Sequence, residues 1–443
     1  MLAGKLEEVP LCRFHYWLLA VIGLPYIFVA MDLLLISLAL PAVTEVFEVP
    51  ARVAGFLAGS VFIGMMIGAA SWGFLADLLG RKRALELTIL VYTVFTGLAA
   101  VSWSWQSLVA FRVATGLGLG GCIPLCFVYL SEFIPASHRG RFLVLLDAFW
   151  AIGWILAALL GYLIIPKLGW RYYFIAGAAP ILALLPVHLY LPRSVRFLEE
   201  KGLADEALRE LQGVYRRAGL TPRGAEPPAK GAEGKPAERP ARVPVRELWS
   251  REYRRRTVFA WALWFCMVYG YYSLFLWIVK FMAGMGYPVP KAMYYALVTS
   301  LAQLPGYFTA AYLVDVAGRK PTLTAFLLAT AASTAGFSTA KTPLELVAWL
   351  SAVSFFCLGA WGIVMTYTAE VYPTRVRGTG YGAASGFGRT AGLIGPTLVG
   401  LIVEAYGIKA ATLATAVVFL IAALDVAALG IETKGLTLEQ ISR

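Results

Sequence analysis

The chain is written in long apolar runs separated by short polar breaks. The runs lie near residues 16–42, 53–76, 85–102, 107–133, 142–165 and 171–191, then near 257–282, 292–314, 321–340, 344–371, 379–404 and 409–430. A helix needs about 20 mostly apolar residues to cross the hydrocarbon core of a bilayer. The runs are of that order and continuous, whereas a membrane β-barrel alternates apolar and polar positions over about ten residues. The pattern predicts an all-α membrane protein of twelve transmembrane helices, in two groups of six. The first run is too long for the apolar region of a secretory signal and lacks a small-residue cleavage site, so it is expected to remain as a span.

Residues 192–256 separate the groups. They open with a helix-like stretch from Ser194 to Ala218, continue through a Pro, Gly, Ala and charge-rich segment from Leu220 to Pro244, and end in Arg254, Arg255 and Arg256. The middle piece has too few apolar residues to bury a core and is expected to be a flexible tether. The expected organisation is a first bundle over 1–191, a linker with short helices over 192–256, a second bundle over 257–430 and a tail over 431–443.

Composition narrows the class further. Of 443 residues, 59% are hydrophobic and 14% charged, against about 45–50% and about 25% in soluble domains. This excludes a soluble enzyme, a disordered chain and a disulfide scaffold. The net charge of +12 follows membrane topology and does not mark a nucleic-acid partner. With both termini on one face, that face collects 29 of the 38 Lys and Arg, the other face has 7, and Arg112 and Arg389 lie inside spans. By the positive-inside rule the termini and the central loop are cytoplasmic, in a multi-pass protein of the plasma membrane. The five Cys lie mostly in apolar runs without a CxxC pair, and the three His are scattered, so no metal set and no cofactor are expected. The glycine run Gly116–Gly121 sits inside an apolar run and lacks the strand-then-helix context of a nucleotide motif; its small residues fit close helix packing. The expected partners are the lipid bilayer and a small molecule, with the protein a monomer.

The two halves repeat. GFLADLLGRKRAL at 73–85 matches AYLVDVAGRKPTL at 311–323, and YLSEFIPASHRG at 129–140 matches YTAEVYPTRVRG at 367–378. Asp77 to Asp315 and Glu132 to Glu370 are both offsets of 238 residues. Duplicated six-helix halves are a transporter signature, with the substrate site between them near the midplane. In each motif a glycine, Gly80 or Gly318, permits a tight turn. Asp77, Arg81 and Lys82, with Asp315, Arg319 and Lys320, supply charges at the inner helix ends. Glu132 with Arg139, and Glu370 with Arg377, are expected to pair across the following turn. Together these residues read as a cytoplasmic gate; topology-setting charge is the plainer alternative.

Charges inside spans are expensive and mark functional candidates. Asp32 lies deep in the first run and Arg112 in the fourth, at depths a long Arg side chain can bridge. Arg389 lies mid-span in the eleventh run; its planar fork suits a carboxylate, or it holds a structural partner. Asp147, with Phe149, Trp150 and Trp154, lies in the fifth run, and Tyr269, Tyr271, Tyr272 and Trp277 form an aromatic stretch in the seventh. Asp147, Trp150, Tyr271, Tyr272 and Trp277 join Arg389 as candidate substrate residues, since a flat ring could stack there.

The paired Asp-x-x-Gly-Arg-Lys motifs resemble the loop motif of the major facilitator superfamily. Arg112 with Gly116, Gly118 and Gly120, then Glu132 and Arg139-Gly140, are similar to the branch holding sugar porters, organic-ion carriers and niacin-type metabolite transporters. The ending Glu432-Thr433-Lys434-Gly435-Leu436-Thr437-Leu438-Glu439 resembles that of sugar porters. The resemblance implies two pseudo-symmetric six-helix bundles working by alternating access. It implies Asp32 as the proton-carrying carboxylate and Arg112 as its tuning partner: Arg⁺ holds the acid ionised, and separation in a dry site favours protonation. It also implies that Arg389 occupies the place where organic-anion carriers keep Arg. The amides that sugar porters carry in their fifth and seventh helices are missing, and FLVLLDAFWAIGWILAALLGYLIIPKLGWRY looks more like the niacin and aromatic-acid branch. The expected function is proton-coupled symport of a small organic anion, nicotinate-like or aromatic. The alternatives are a sugar or polyol symporter, an organic-cation or drug efflux carrier, and a non-transporting membrane sensor on the same fold. No nucleophile, base or metal set points to an enzyme.

Overall fold

The computed structural model describes residues 2–220, 244–373 and 376–434. The expected tether between Leu220 and Pro244 lies almost entirely outside the described residues, as does the tail from Gly435 onward. Seventeen helices follow in order: α1 (Arg13–Val46), α2 (Ala51–Gly59), α3 (Val61–Leu79), α4 (Arg81–Ala99), α5 (Trp105–Phe133), α6 (Ala136–Leu168), α7 (Trp170–Gly177), α8 (Ile181–Tyr190), α9 (Val195–Glu200), α10 (Ala204–Arg217), α11 (Arg254–Phe275), α12 (Ile278–Gly284), α13 (Val289–Ser300), α14 (Gln303–Ala317), α15 (Arg319–Phe337), α16 (Pro343–Val371) and α17 (Arg377–Leu429). There is no strand among the described residues.

The predicted spans map onto these helices, some of them broken. Four spans are split in two: α2 with α3, α7 with α8, α11 with α12, and α13 with α14. The opposite holds for α17, which turns at Gly407 (φ 82°) and carries the last two spans. Counted this way, twelve spans stand in two groups of six among the described residues. Among the described residues, eight helical stretches are long and apolar enough on their own to cross a membrane. Large apolar side chains such as Phe74, Leu182, Leu185, Phe308 and Tyr312 point outward, as a lipid-facing surface requires.

Glycine sets the closest approaches. A Cβ on Gly64 of α3 would sit 1.8 Å from the Val113 carbonyl of α5, and one on Gly116 of α5 would sit 2.0 Å from the Val61 carbonyl. The glycine run of the fourth span is thus a packing face that lets two backbones touch. Gly80 and Gly318 adopt φ of 89° and 101° at the repeated turns, a backbone that residues with a Cβ rarely take. In the linker, α10 buries Ala207, Leu211 and Val214, one helical face at intervals of four and three residues.

The halves meet at one end. Ser37 Oγ of α1 donates to the Phe275 carbonyl of α11 at 2.8 Å; these residues are 238 apart, so repeat-related positions touch on the pseudo-twofold axis. A Cβ on Gly55 would lie 2.3 Å from the Pro396 carbonyl, and one on Gly400 would lie 2.3 Å from the Ala51 carbonyl. Arg52 reaches Glu404 at 3.7 Å. All these groups belong to the helix ends away from the 192–256 linker. The protein is therefore closed on the face opposite its linker.

Candidate functional site

The first cluster lies wholly within the first half. Arg112 Nη1 of α5 donates to Asp32 Oδ1 of α1 at 2.6 Å, and Nη2 donates to the Asp32 carbonyl at 3.3 Å. The Thr96 hydroxyl of α4 donates to the second carboxylate oxygen. Both charged side chains have no exposed surface. An isolated charge in such a place costs several kcal/mol, and a partner with good geometry offsets that cost. The two intramembrane charges singled out from sequence are thus brought together.

The second cluster spans both halves. Asp147 of α6 accepts a hydrogen bond from the Tyr26 hydroxyl of α1 at 2.8 Å. One turn on, Trp150 Nε1 donates to the Tyr271 hydroxyl of α11 at 3.1 Å, across the boundary between halves. Tyr271 stacks on Trp361 of α16 with rings 6.0 Å apart and 5° from parallel. Tyr272 meets Phe62 of α3 edge-on at 4.5 Å, and Trp154 lies edge-on against Phe275 at 5.3 Å. Together these rings form one aromatic cluster at the boundary between the halves, the candidate substrate chamber. Arg389 of α17 borders it, deep in the protein yet partly accessible. Its electrostatic neighbours are the hydroxyls of Tyr272, Tyr381 and Tyr26. No carboxylate pairs with it among the described residues.

Trp277 stands apart from the chamber. Its Nε1 donates to the Pro396 carbonyl at 3.2 Å, and its ring carries the Lys280 ammonium at 5.4 Å. The chain leaves α11 after Phe275 and re-enters helix at Ile278, so the break turns this ring onto α17. It lies between two helices of the second half.

Several chamber residues were not singled out from sequence. Tyr26, Tyr307, Trp361 and Tyr381 look like ordinary core aromatics in a linear reading. Gln303 did leave a signal, an amide inside an apolar run. It is fully buried, and neither of its amide atoms has a partner among the described residues; the same holds for Ser354 Oγ and Trp154 Nε1. Gln303, Ser354 and Trp154 line one small cavity of about 10 Å³ between the halves.

The charges at the linker-side helix ends form two matching sets. Arg81 Nε lies 3.0 Å from Glu132, and Ser194 Oγ donates to the same carboxylate. In the second half Arg319 grips Glu370 with two bonds of 3.0 Å, and Asp315 stands 4.0 Å from Arg319. Glu432 accepts from the backbone amides of Arg319 and Lys320 at 3.0 and 3.1 Å, satisfying the exposed donors of a helix start. Lys82 Nζ donates to the His188 carbonyl. The expected pairing of Glu132 with Arg139 is not the one formed. Arg139 pairs with Glu7 and donates to the Ile134 carbonyl, because Arg81 reaches Glu132 from the neighbouring helix pair. Likewise the bidentate partner of Glu370 is Arg319, while Arg377 donates to the Tyr372 carbonyl.

A twelve-span duplicated bundle with charges buried at its centre defines a membrane transporter. The profile of the family described as "Sugar (and other) transporter" matches residues 39–443, and the chain belongs to that family, within the major facilitator superfamily. It is 38% identical over 441 residues to the niacin transporter NiaP of Acinetobacter baylyi, covering 99% of each chain. It is 34% identical over 385 residues to a putative niacin/nicotinamide transporter NiaP of Bacillus subtilis, covering 87% of this chain and 88% of that one. Among solved structures, the partially occluded inward-open xylose transporter XylE from E. coli superimposes with a TM-score of 0.76 at 19% identity, covering 96% and 99% of the chains. The chain is a sugar-porter-type transporter of the niacin-type branch, and not an enzyme.

Proposed function

We propose that this protein is a secondary active transporter that carries a nicotinate-like aromatic monocarboxylate together with protons, by alternating access. One observation carries the reading: Arg389 is a deep cation with no carboxylate partner among the described residues, beside a cluster of aromatic rings. A buried cation is costly unless something neutralises it, and a planar guanidinium takes a carboxylate by two parallel hydrogen bonds. Tyr271, Tyr272, Trp150 and Trp361 offer faces and edges to a flat ring. The named activity of the two niacin-type relatives agrees with this substrate class.

Coupling falls to Asp32, with Arg112 as the cation that sets when it protonates. The bundles over 1–191 and 257–430 rock around the chamber, and the sets built on Arg81–Glu132 and Arg319–Glu370, with Asp77, Gly80, Lys82, Arg139, Gly318, Lys320 and Arg377, govern the linker-side gate. With the linker and termini in the cytoplasm of a monomer in the plasma membrane, closure on the opposite face makes this the inward-facing state. The test is binding and uptake with purified protein in detergent and in proteoliposomes. Nicotinate or benzoates should raise the melting temperature, since a ligand at 100 times its Kd adds about 2.7 kcal/mol, and Arg389→Ala should abolish that shift. Stabilisation by hexoses or organic cations, but not by carboxylates, refutes the reading.

A further inference from the structure

The chamber contains an acid that the coupling scheme above does not use. Asp147 has no cation paired with it among the described residues; its bond is the single one from Tyr26. Arg389 has no anion paired with it among the described residues. The hydroxyls of Tyr26 and Tyr381 lie within electrostatic range of both Asp147 and Arg389. One acid and one base thus share a chamber, separated by tyrosine hydroxyls. The groups that face Asp147 are Tyr26 from α1, Tyr307 from α14 and Tyr381 from α17, and Arg389 of α17 lies on the far side of Tyr26 and Tyr381. Asp32 is different, because Arg112 and Thr96 satisfy it whatever the chamber holds.

We propose that Asp147 takes up a proton each time the anionic substrate binds, and so is a second protonation site tied directly to chamber occupancy. The empty chamber is neutral with Asp147 ionised. A carboxylate on Arg389 adds a second negative charge against one cation, beside the aromatic cluster. Like charges in a dry site disfavour the ionised form. One proton from the open face neutralises Asp147, restores charge balance and turns its acceptor into a donor. No bond other than that O–H forms, and the proton leaves when the substrate does.

This inference rests on the anion reading of Arg389, and titration calorimetry with nicotinate separates the two. In the wild-type protein the Kd should rise about tenfold per pH unit once Asp147 ionises, by proton linkage. Repeating the titration in buffers of different ionisation enthalpy should give about one proton taken up per ligand bound. Asp147→Asn should bind with pH-independent affinity and take up no proton, and Tyr26→Phe should displace the midpoint of the pH dependence. A wild-type affinity that does not change with pH overturns the inference while leaving the anion site intact. Proton uptake that persists in Asp147→Asn and vanishes in Asp32→Asn overturns it in favour of Asp32 alone. Loss of carboxylate binding at every pH, or Arg389→Ala binding as well as wild type, is failure of the anion reading itself.

Discussion

Removing one member of the Asp32–Arg112 pair should cost far more than removing both. Arg112 spends two hydrogen bonds on Asp32, at 2.6 and 3.3 Å, and Thr96 holds the other carboxylate oxygen. With charge centres ~4 Å apart, the attraction is worth about 4 kcal/mol at an effective dielectric near 20. Asp32→Asn keeps the shape but leaves a cation uncompensated in a site with no exposed surface; breaking a buried pair in this way costs about 3–5 kcal/mol. Arg112→Gln strands the anion at similar cost. The double variant carries no stranded charge, and neutral replacements for buried pairs are often close to neutral in stability. A double-mutant cycle followed by melting in detergent should therefore give a coupling energy of at least ~2 kcal/mol. In proteoliposomes Asp32→Asn should lose uphill accumulation while exchange of labelled substrate survives. If the double variant loses as much as the two singles combined, the pair is not an energetic unit. If Asp32→Asn still accumulates substrate against a gradient, its assignment to coupling is wrong.

Gly64→Ala should lower the melting temperature, with a cost of about 1–3 kcal/mol for overpacking, because its Cβ would lie 1.8 Å from a backbone oxygen. Gly73→Ala, with open space around it, is the control that should leave stability unchanged. Gln303→Leu should hold or raise stability in the empty protein, since replacing unpartnered buried polar atoms by apolar ones is neutral to favourable, while it changes which ring substituents the transporter accepts; a lower melting temperature would show that the amide is structural. Glu370→Gln breaks the grip of Arg319, and the maximal uptake rate should change with nicotinate Kd within about twofold; a large change in Kd alone would count against a gating role.

Much of this was legible because membranes restrict the options. A backbone in hydrocarbon must satisfy its own hydrogen bonds, so long apolar runs had to be helices. The repeat at 238 residues tied the halves together, and the Ser37–Phe275 contact extends that offset to the first and seventh spans. Asp32 and Arg112 could be picked out because charges are rare in spans. Pairings at the helix ends were less legible: sequence offered Glu132 both Arg81 and Arg139, and the partner it takes is Arg81, from the start of a different helix. Chamber aromatics were hard to sort for a similar reason, since Trp277 and Tyr271 are close in sequence and a helix break sends their rings to different neighbours.

The duplication has a consequence for how labour is divided. Shifted by 238 residues, Asp32 falls on Gly270 and Arg112 on Leu350, both buried. Gly270 lies against the Phe419 ring. The twin halves kept their glycine turns and end clasps in duplicate, but among the described residues the central ion pair stands in one half alone. The pair therefore ties together helices of one bundle, while the matching positions of its sibling are filled by apolar packing, as in a passive counterweight. Ancestry made the machine symmetrical, and a single ion pair gives it a front and a back.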